Sequence, residues 1–307
     1  MRATFAPRSR RHGRTALIFL LPNFVGFVVF TAGPVLVSLG LSFTSWDLLQ
    51  PPCWVGFDNF VRLLGFHLSP EGWEANDPYF WKYLGNTLFL LLGLPLNTAA
   101  SLGLALMLQD NLRFRSAYRF LFYLPSVVSG VAIYYLWRWI YNPDYGLLNT
   151  ALAGLGMEGP AWLSSLSWSK PALLLMGLWV SAGGQAMILY LAALSQISPE
   201  LYEAAEIDGA GRWEKFRAIT WPALGPVTFF ILTMGMIGGL QGGFEAAYVM
   251  TGGGPFGATT TLGYQIYNLA YVHFQMGYAA TLAWTLFLLV LGITLLQWRF
   301  GSRQTIA

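Results

Sequence analysis

A chain of 307 residues with 55% hydrophobic residues, 10% charged residues and a mean hydropathy of +0.52 cannot cover a soluble core with polar groups; soluble domains carry about 25% charge. That balance excludes an ordinary soluble enzyme, and no nucleic-acid partner is expected from a net charge of only +3. The single cysteine, Cys53, has no intramolecular partner and leaves the redox compartment open.

The chain opens with MRATFAPRSRRHGR and an apolar run. A cleaved secretory signal has an apolar region of about 7–15 residues and a small-residue cleavage site. Here the run continues through Pro22 and Gly33-Pro34 with no clear site, which predicts an uncleaved first membrane span. Further runs without Asp, Glu, Lys or Arg cover 83–109, 120–137, 171–199, 218–244 and 246–298. A helix needs about 20 apolar residues to cross a bilayer. The last run is too long for one crossing, and its TGGGPFGATTT reads as a loop. The expectation is an all-α membrane protein with six spans near 16–44, 84–108, 118–141, 171–194, 223–248 and 278–298. Residues 1–15 and 299–307 form its tails, and there is neither an internal repeat nor a separate soluble domain.

Positive residues resist translocation and mark the cytoplasmic side. With both termini inside, the cytoplasmic side gathers Arg2, Arg8, Arg10, Arg11 and Arg14, then Arg113, Arg115 and Arg119, then Arg212, Lys215 and Arg217, then Arg299 and Arg303. Only Arg62, Lys82, Arg138 and Lys170 fall outside. Trp46, Trp54, Trp73, Trp81, Trp162 and Trp168 fall in the outer loops 45–83 and 142–170, as expected of rings at a membrane interface. Arg138, between Trp137 and Trp139, reads as a snorkelling side chain. His12, His67 and His273 fall in tails or outer loops and read as solvated.

Between spans four and five the sequence changes character. Glu200, Glu203, Glu206, Asp208, Arg212, Glu214, Lys215 and Arg217 are gathered in 18 positions. Burying eight charges at a bilayer centre would cost on the order of 20–28 kcal/mol, so this segment lies in water, on the cytoplasmic side. Ser198 suits a helix N-cap and Pro199 the first helical position. Glu200, Glu203 and Glu206 share one face and Leu201, Ala204 and Ala205 another. Gly209-Ala210-Gly211 permits a sharp turn, a second short helix carries Trp213, Phe216 and Thr220, and Pro222 and Pro226 lead into span five. Two readings stand for this helix–turn–helix: an amphipathic loop on the lipid headgroups, or a docking element in which small residues beside acids allow close approach of a partner.

The spacing resembles a known pattern. Glu203-Ala204-Ala205, three residues, Gly209, nine residues, Ile219, one residue and Trp221-Pro222 are similar to the EAA loop (196–222 here) of permease subunits in binding-protein-dependent ABC importers, with Trp221 where leucine is usual. WVGFDNFVRLL (54–64), NTLFLLLGLPLNTAASLGLALML (86–108), RFLFYLPSVVSGVAIYYLW (119–137) and AYVMTGGGPFGATTTLGYQIYNLAY (247–271) resemble carbohydrate importers of the maltose, lactose and glycerol-3-phosphate type. The resemblance implies a multi-pass protein of a prokaryotic cytoplasmic membrane. It also implies a homologous second permease, two ATPase subunits that bind ATP and Mg, and an extracytoplasmic solute-binding protein. The EAA residues would dock on an ATPase, with Glu203 paired to a basic residue and Gly209 allowing the turn.

Nothing in the sequence offers catalysis in this chain. No G-x-x-x-x-G-K-[ST] phosphate loop and no H-E-x-x-H metal motif occurs, so no cofactor or metal is expected here. Candidate path residues are polar groups deep in the spans: Asn97 near Pro95, Gln185 after Gly183-Gly184, Gln241 before Gly242-Gly243, then Glu245 and Tyr248. Amides and aromatic rings suit sugars, though each amide taken singly also suits helix–helix hydrogen bonding. Glu245 is either functional or a partner for a hydroxyl on a neighbouring span. A secondary transporter would need buried acids or broken half-helices for coupling, and one glutamate is poor support for it. A membrane enzyme would need a catalytic constellation, and the sequence shows none.

Overall fold

The computed structural model describes residues 10–70, 72–109 and 113–301; Arg2, Arg8 and Arg303 of the tails lie outside the described residues. Among the described residues, three unbroken helices are long and apolar enough to cross a membrane, at Ile18–Leu41, Pro78–Met107 and Met276–Arg299. Three bent pairs complete six when each pair counts as one span: Arg115–Val127 with Gly130–Ile140, Ser169–Ser181 with Gln185–Leu194, and Arg212–Ala223 with Gly225–Gln241. The sequence reading of six apolar spans holds, but three of them are not straight.

The first helix starts at Arg10, ahead of the expected start at 16. It widens into a π-helical turn at Val28–Ala32 and resumes at Gly33–Leu41 with Pro34 in its first turn. No residue in the membrane-length part of this span is buried, so lipid or a partner covers most of it, while Trp284 of span six donates to the Ser38 hydroxyl at 3.1 Å. The second span begins earlier than expected because Asp77 caps it: its carboxylate accepts from the amides of Tyr79 and Phe80 at 2.9 and 3.2 Å, and Pro78 takes the first helical position.

Span three corrects the expectation of one helix over 118–141. The two parts meet at 96°. Pro125 removes a helical donor, the Ser126 hydroxyl donates to the Tyr123 carbonyl at 2.7 Å, and Val128 is extended. Span five is also shorter than the expected 223–248. Its helix stops at Gln241, Gly243 adopts φ +82°, and short turns follow at Phe244–Ala246 and Ala247–Thr251. The TGGGPFGATTT stretch is a loop, as read, but the next residues form an unforeseen helix, Leu262–Tyr267, that continues as a π turn over Asn268–Val272.

The outer loop expected over 45–83 is replaced by a small ordered lobe over 42–77. Two antiparallel hairpin pairs, Thr44–Ser45 with Cys53–Trp54 and Phe66–Ser69 with Gly72–Ala75, flank the helix Asp58–Leu64. Asn59 donates to the carbonyls of Ser42 and Thr44 at 3.1 and 2.9 Å. The lobe seats on the start of span six: the Tyr278 hydroxyl donates to Asp77 at 2.5 Å, and the Thr281 hydroxyl to the Ser42 carbonyl at 2.9 Å. A methyl at Gly277 would meet the Thr44 carbonyl oxygen, so only glycine allows this seat. His67, expected to be solvated, is exposed, and its Nδ1 lies 2.9 Å from Asn76 Oδ1.

Three apolar clusters hold the bundle. Leu240, Leu262, Leu282 and Leu286 pack spans five and six; Ala105, Met187, Tyr190 and Leu224 pack spans two, four and five; Ile133, Trp137, Met176 and Met250 pack spans three and four against the end of span five. Most other large apolar side chains of the spans face outward, as a lipid solvent permits.

Candidate functional site

The charged segment folds as two short helices. Pro199–Ile207 begins with Pro199 in the first turn. Ser198 takes the N-cap position but its side chain makes no capping bond, which corrects the capping role expected of it. The helix ends as Gly209 turns to φ +80°. The Ala210 amide then donates back to the Ala205 carbonyl at 2.8 Å and the Gly209 amide to Glu206 at 3.0 Å, closing the helix end through a left-handed glycine. The Gly211 amide donates to Glu214 at 2.6 Å and starts the second helix, Arg212–Lys215, which runs through a π turn at Phe216–Thr220.

The two helices are bound to one another. Lys215 Nζ donates to Glu206 Oε1 at 2.5 Å, and the hydroxyls of Tyr202 and Thr220 bond at 2.9 Å. That lysine bond holds the Glu206 carboxyl below the ordinary glutamate range. Trp213 stacks on Phe216 with centroids 5.4 Å apart. Glu203 and Ala204 remain exposed, Ala205 and Ile219 are half-buried, and Pro222 is exposed at the joint with span five. Leu201 and Ile207 are exposed as well. The segment thus presents a mixed apolar and acidic face on a braced element. Its second helix meets Gly225–Gln241 at 61° across a single residue, so a displacement of the charged segment reaches span five through nearly continuous helix.

At the other end of span five lie the path candidates. Gln241, Glu245 and Tyr248 are all exposed, on a side that this chain leaves open. The Tyr134 hydroxyl donates to Glu245 at 3.4 Å, so the hydroxyl partner from a neighbouring span is present. Arg138, one turn further along the same helix, donates to the Val249 carbonyl at 3.2 Å; it braces span five against span three rather than merely reaching for water. Gln185 is exposed on span four, directly after the break at 182–184. Asn97 stands apart. Its Oδ1 is buried with no hydrogen-bond partner, and it lines a cavity of about 390 Å³ between spans two, four and five, beside Ser181, Gly239 and Gly243.

Sequence reasoning missed the residues that pin the glycine-rich loop. Asn86 donates to the carbonyls of Gly257 and Thr260, both at 2.9 Å; Lys82 Nζ donates to the Phe256 carbonyl at 2.6 Å; the Leu262 amide donates to the Thr87 hydroxyl at 3.0 Å. Partners more than 170 positions apart leave no local spacing to read.

Residues 98–303 match the family described as binding-protein-dependent transport system inner membrane component. The chain belongs to this family. It is a multi-pass ABC importer permease, and the family's description makes its transport depend on a binding protein. The permease is 34% identical over 298 residues to a probable ABC transporter permease protein, YesP, of Bacillus subtilis, covering 95% of this chain and 92% of the relative. It is 35% identical to the lactose transport system permease protein LacF of Rhizobium radiobacter, with 94% and 93% covered. A solved bacterial ABC transporter chain involved in import of the acidic polysaccharide alginate superposes with TM-score 0.81 at 28% identity, over 95% of this chain and 96% of that one. A bacterial alginate ABC transporter in complex with its alginate pentasaccharide-bound periplasmic protein gives 0.82 at 27% identity, with 96% of both chains covered.

Proposed function

We propose that this permease forms half of a translocation path for a carbohydrate in a prokaryotic cytoplasmic membrane. A second homologous permease forms the other half, and an extracytoplasmic solute-binding protein delivers the solute. Two ATPase subunits bind ATP and Mg and drive the cycle; this chain supplies no cofactor site of its own. The observation that carries the reading is the braced charged helix pair joined to span five, at whose opposite end Gln241, Glu245 and Tyr248 stand exposed. Coupling then has a mechanical form. Closure of the ATPases pushes on the helix that carries Glu203, Ala204 and Ala205. Gly209 lets the two helices lie close, while Ile219 and Pro222 join them to span five. The push moves the far end of the span, where the amide, carboxylate and aromatic groups meet sugar hydroxyls and ring faces. Gln185 and Asn97 line the path further along. The relatives whose names specify lactose and alginate favour a saccharide as solute.

Glu203→Lys tests the coupling. In proteoliposomes holding the full importer, the variant is expected to insert normally and to hydrolyse ATP without matching solute uptake. An uptake rate equal to wild type removes Glu203 from the coupling face.

A further inference from the structure

The hairpin of Phe66–Ser69 and Gly72–Ala75 sorts its side chains by chemistry. Successive residues of a strand point to opposite faces. The register sets Phe66 against Ala75 and Leu68 against Trp73, and His67 against Glu74 and Ser69 against Gly72. One face is therefore Phe66, Leu68, Trp73 and Ala75, and the other carries His67, Ser69 and Glu74. This chain leaves both faces largely open. Phe66, Leu68 and Trp73 are 54%, 71% and 75% exposed, and His67 Nε2 lies 3.8 Å from Glu74 Oε2 with both side chains more than half exposed. Water on both sides would stabilise no such sorting, so the two faces meet different surroundings. The Phe66 ring lies 5.7 Å from that of Trp81, in the first turn of span two. Trp81 heads a row of exposed apolar side chains with Leu88, Leu92 and Leu96, spaced along one helix face. From Trp81 to Met107 the helix covers about 39 Å at 1.5 Å per residue, against about 30 Å of hydrocarbon. Trp81 thus stands at the outer boundary of the bilayer, where tryptophan is favoured, and the apolar face of the hairpin continues from it.

We propose that this hairpin is an interfacial anchor: Phe66, Leu68 and Trp73 lie in the outer leaflet of the bilayer, while His67 and Glu74 stay in water. Two aromatic rings and a leucine suit the headgroup boundary, where apolar surface leaves water and the indole N–H still finds polar partners. The size of the patch favours lipid over a docked protein. Its three large side chains offer on the order of 500 Å², whereas a stable protein interface covers about 800 Å² on each partner. The anchor also has a structural consequence. The lobe is tied to span six by the Tyr278 hydroxyl on Asp77 and the Thr281 hydroxyl on the Ser42 carbonyl, and it runs directly into span two. A hairpin held in the leaflet therefore fixes the outer ends of spans two and six at one height. This holds whatever the solute.

The test uses the complete importer, otherwise free of cysteine and carrying Cys53→Ser, in vesicles of phosphatidylcholine and phosphatidylglycerol. Leu68→Cys and Trp73→Cys, each labelled with bimane, report on the apolar face, and Glu74→Cys reports on the polar one. Two variants on the apolar face guard against one that fails to assemble. The quenchers are aqueous iodide and a phosphatidylcholine with a nitroxide at carbon 5 of one acyl chain. The lipid nitroxide is expected to quench the labels at positions 68 and 73 about threefold more than the label at 74, and iodide about threefold less. Saturating binding protein is expected to leave both ratios unchanged. Iodide quenching as strong at 68 and 73 as at 74 places the face in water and overturns the anchor. Shielding from both quenchers assigns the face to another subunit of the importer, and shielding from iodide that develops only with binding protein assigns it to that protein; either result overturns the anchor as well.

Discussion

Gly183 sits where span four breaks and span three crosses it. A methyl added there would lie 2.0 Å from the Phe122 carbonyl oxygen and 2.6 Å from its carbon. Carbon–oxygen contacts settle at about 3.3–3.6 Å, so the helix Arg115–Val127 would have to retreat by about 1.3 Å. Both obstructing atoms are backbone, and no side chain can rotate out of the way. Overpacking costs about 1–3 kcal/mol, and a backbone obstacle places Gly183→Ala near the top of that range. On the scale of about 2–4 °C per kcal/mol for domains of comparable size, the expected loss is roughly 6–12 °C in Tm. Gly177→Ala is the control, because it lies in the preceding helix Ser169–Ser181 and an added methyl meets nothing within 4 Å. Replacing glycine by alanine in a helix interior gains about 1 kcal/mol, so this variant should melt at or slightly above wild type. The assay is thermal melting of the detergent-solubilised importer, followed by size-exclusion chromatography. If the two variants melt together, the close crossing of spans three and four at Gly183 is refuted.

Asn86→Leu leaves the carbonyls of Gly257 and Thr260 without their donor, at about 1–3 kcal/mol for each buried group. A lower Tm and faster proteolysis within 252–261 are expected; an unchanged cleavage rate would show that Asn86 does not hold the loop. At Gly209 a methyl meets nothing within 4 Å, but φ is +80°. Valine there costs about 1–2 kcal/mol in backbone strain alone, while asparagine tolerates the left-handed region. Gly209→Val should therefore reduce ATPase co-purification and Gly209→Asn should largely keep it; equal yields would discard the turn as a requirement. Gln241→Ala is expected to slow uptake about fivefold, the equivalent of one neutral hydrogen bond near 1 kcal/mol, with assembly unaffected. Wild-type uptake kinetics would take Gln241 off the path.

Much of this architecture was legible because the bilayer imposes it. Six apolar blocks separated by charge predict six crossings, and the described residues supply three unbroken apolar helices and three bent pairs, up to six spans when each pair counts as one. The helix–turn–helix at 199–223 was legible because Pro199 and Gly209 carry local backbone meaning; Gly209 has the left-handed φ that such a turn demands. The bend in span three was not read, although Pro125 marks it. A proline inside an apolar run can be absorbed by a span or can end a helix, and only the neighbouring Ser126 and Val127-Val128 tip the balance. The lobe 42–77 was illegible for another reason. Its order comes from Asn59, which reaches back 17 and 15 positions to Ser42 and Thr44, and from the Asp77–Tyr278 bond across 201 positions, and composition cannot distinguish such a segment from an open loop. The candidate site divides the same way. Gln241, Glu245 and Tyr248 are exposed at the end of span five, whereas Asn97 lines a cavity that reaches the same break at Gly242 and Gly243 from within the bundle, a distinction that no spacing rule makes.

The two glycine pairs in spans four and five look alike in sequence and differ in physical role. A broken helix at membrane depth frees backbone groups, which bilayers tolerate only where protein or a water-filled cavity meets them. At the break in span four, protein meets them. The Ser101 hydroxyl, buried on span two, donates to the Ala182 carbonyl at 2.8 Å, and Phe122 closes over Gly183. At the break in span five, Thr261 closes over Gly243 from one side, while Gln241 and Glu245 remain exposed on the other. The first break is braced by protein at Ala182 and Gly183 and lets span four bend by 44°, with Gln185 exposed just beyond it. The second leaves polar groups facing the side that this chain does not cover. In the two-permease arrangement proposed above, that side is the one assigned to the partner. Under that proposal a solute moving between the two chains meets the break in span five, at the end of the helix whose other end joins the charged segment.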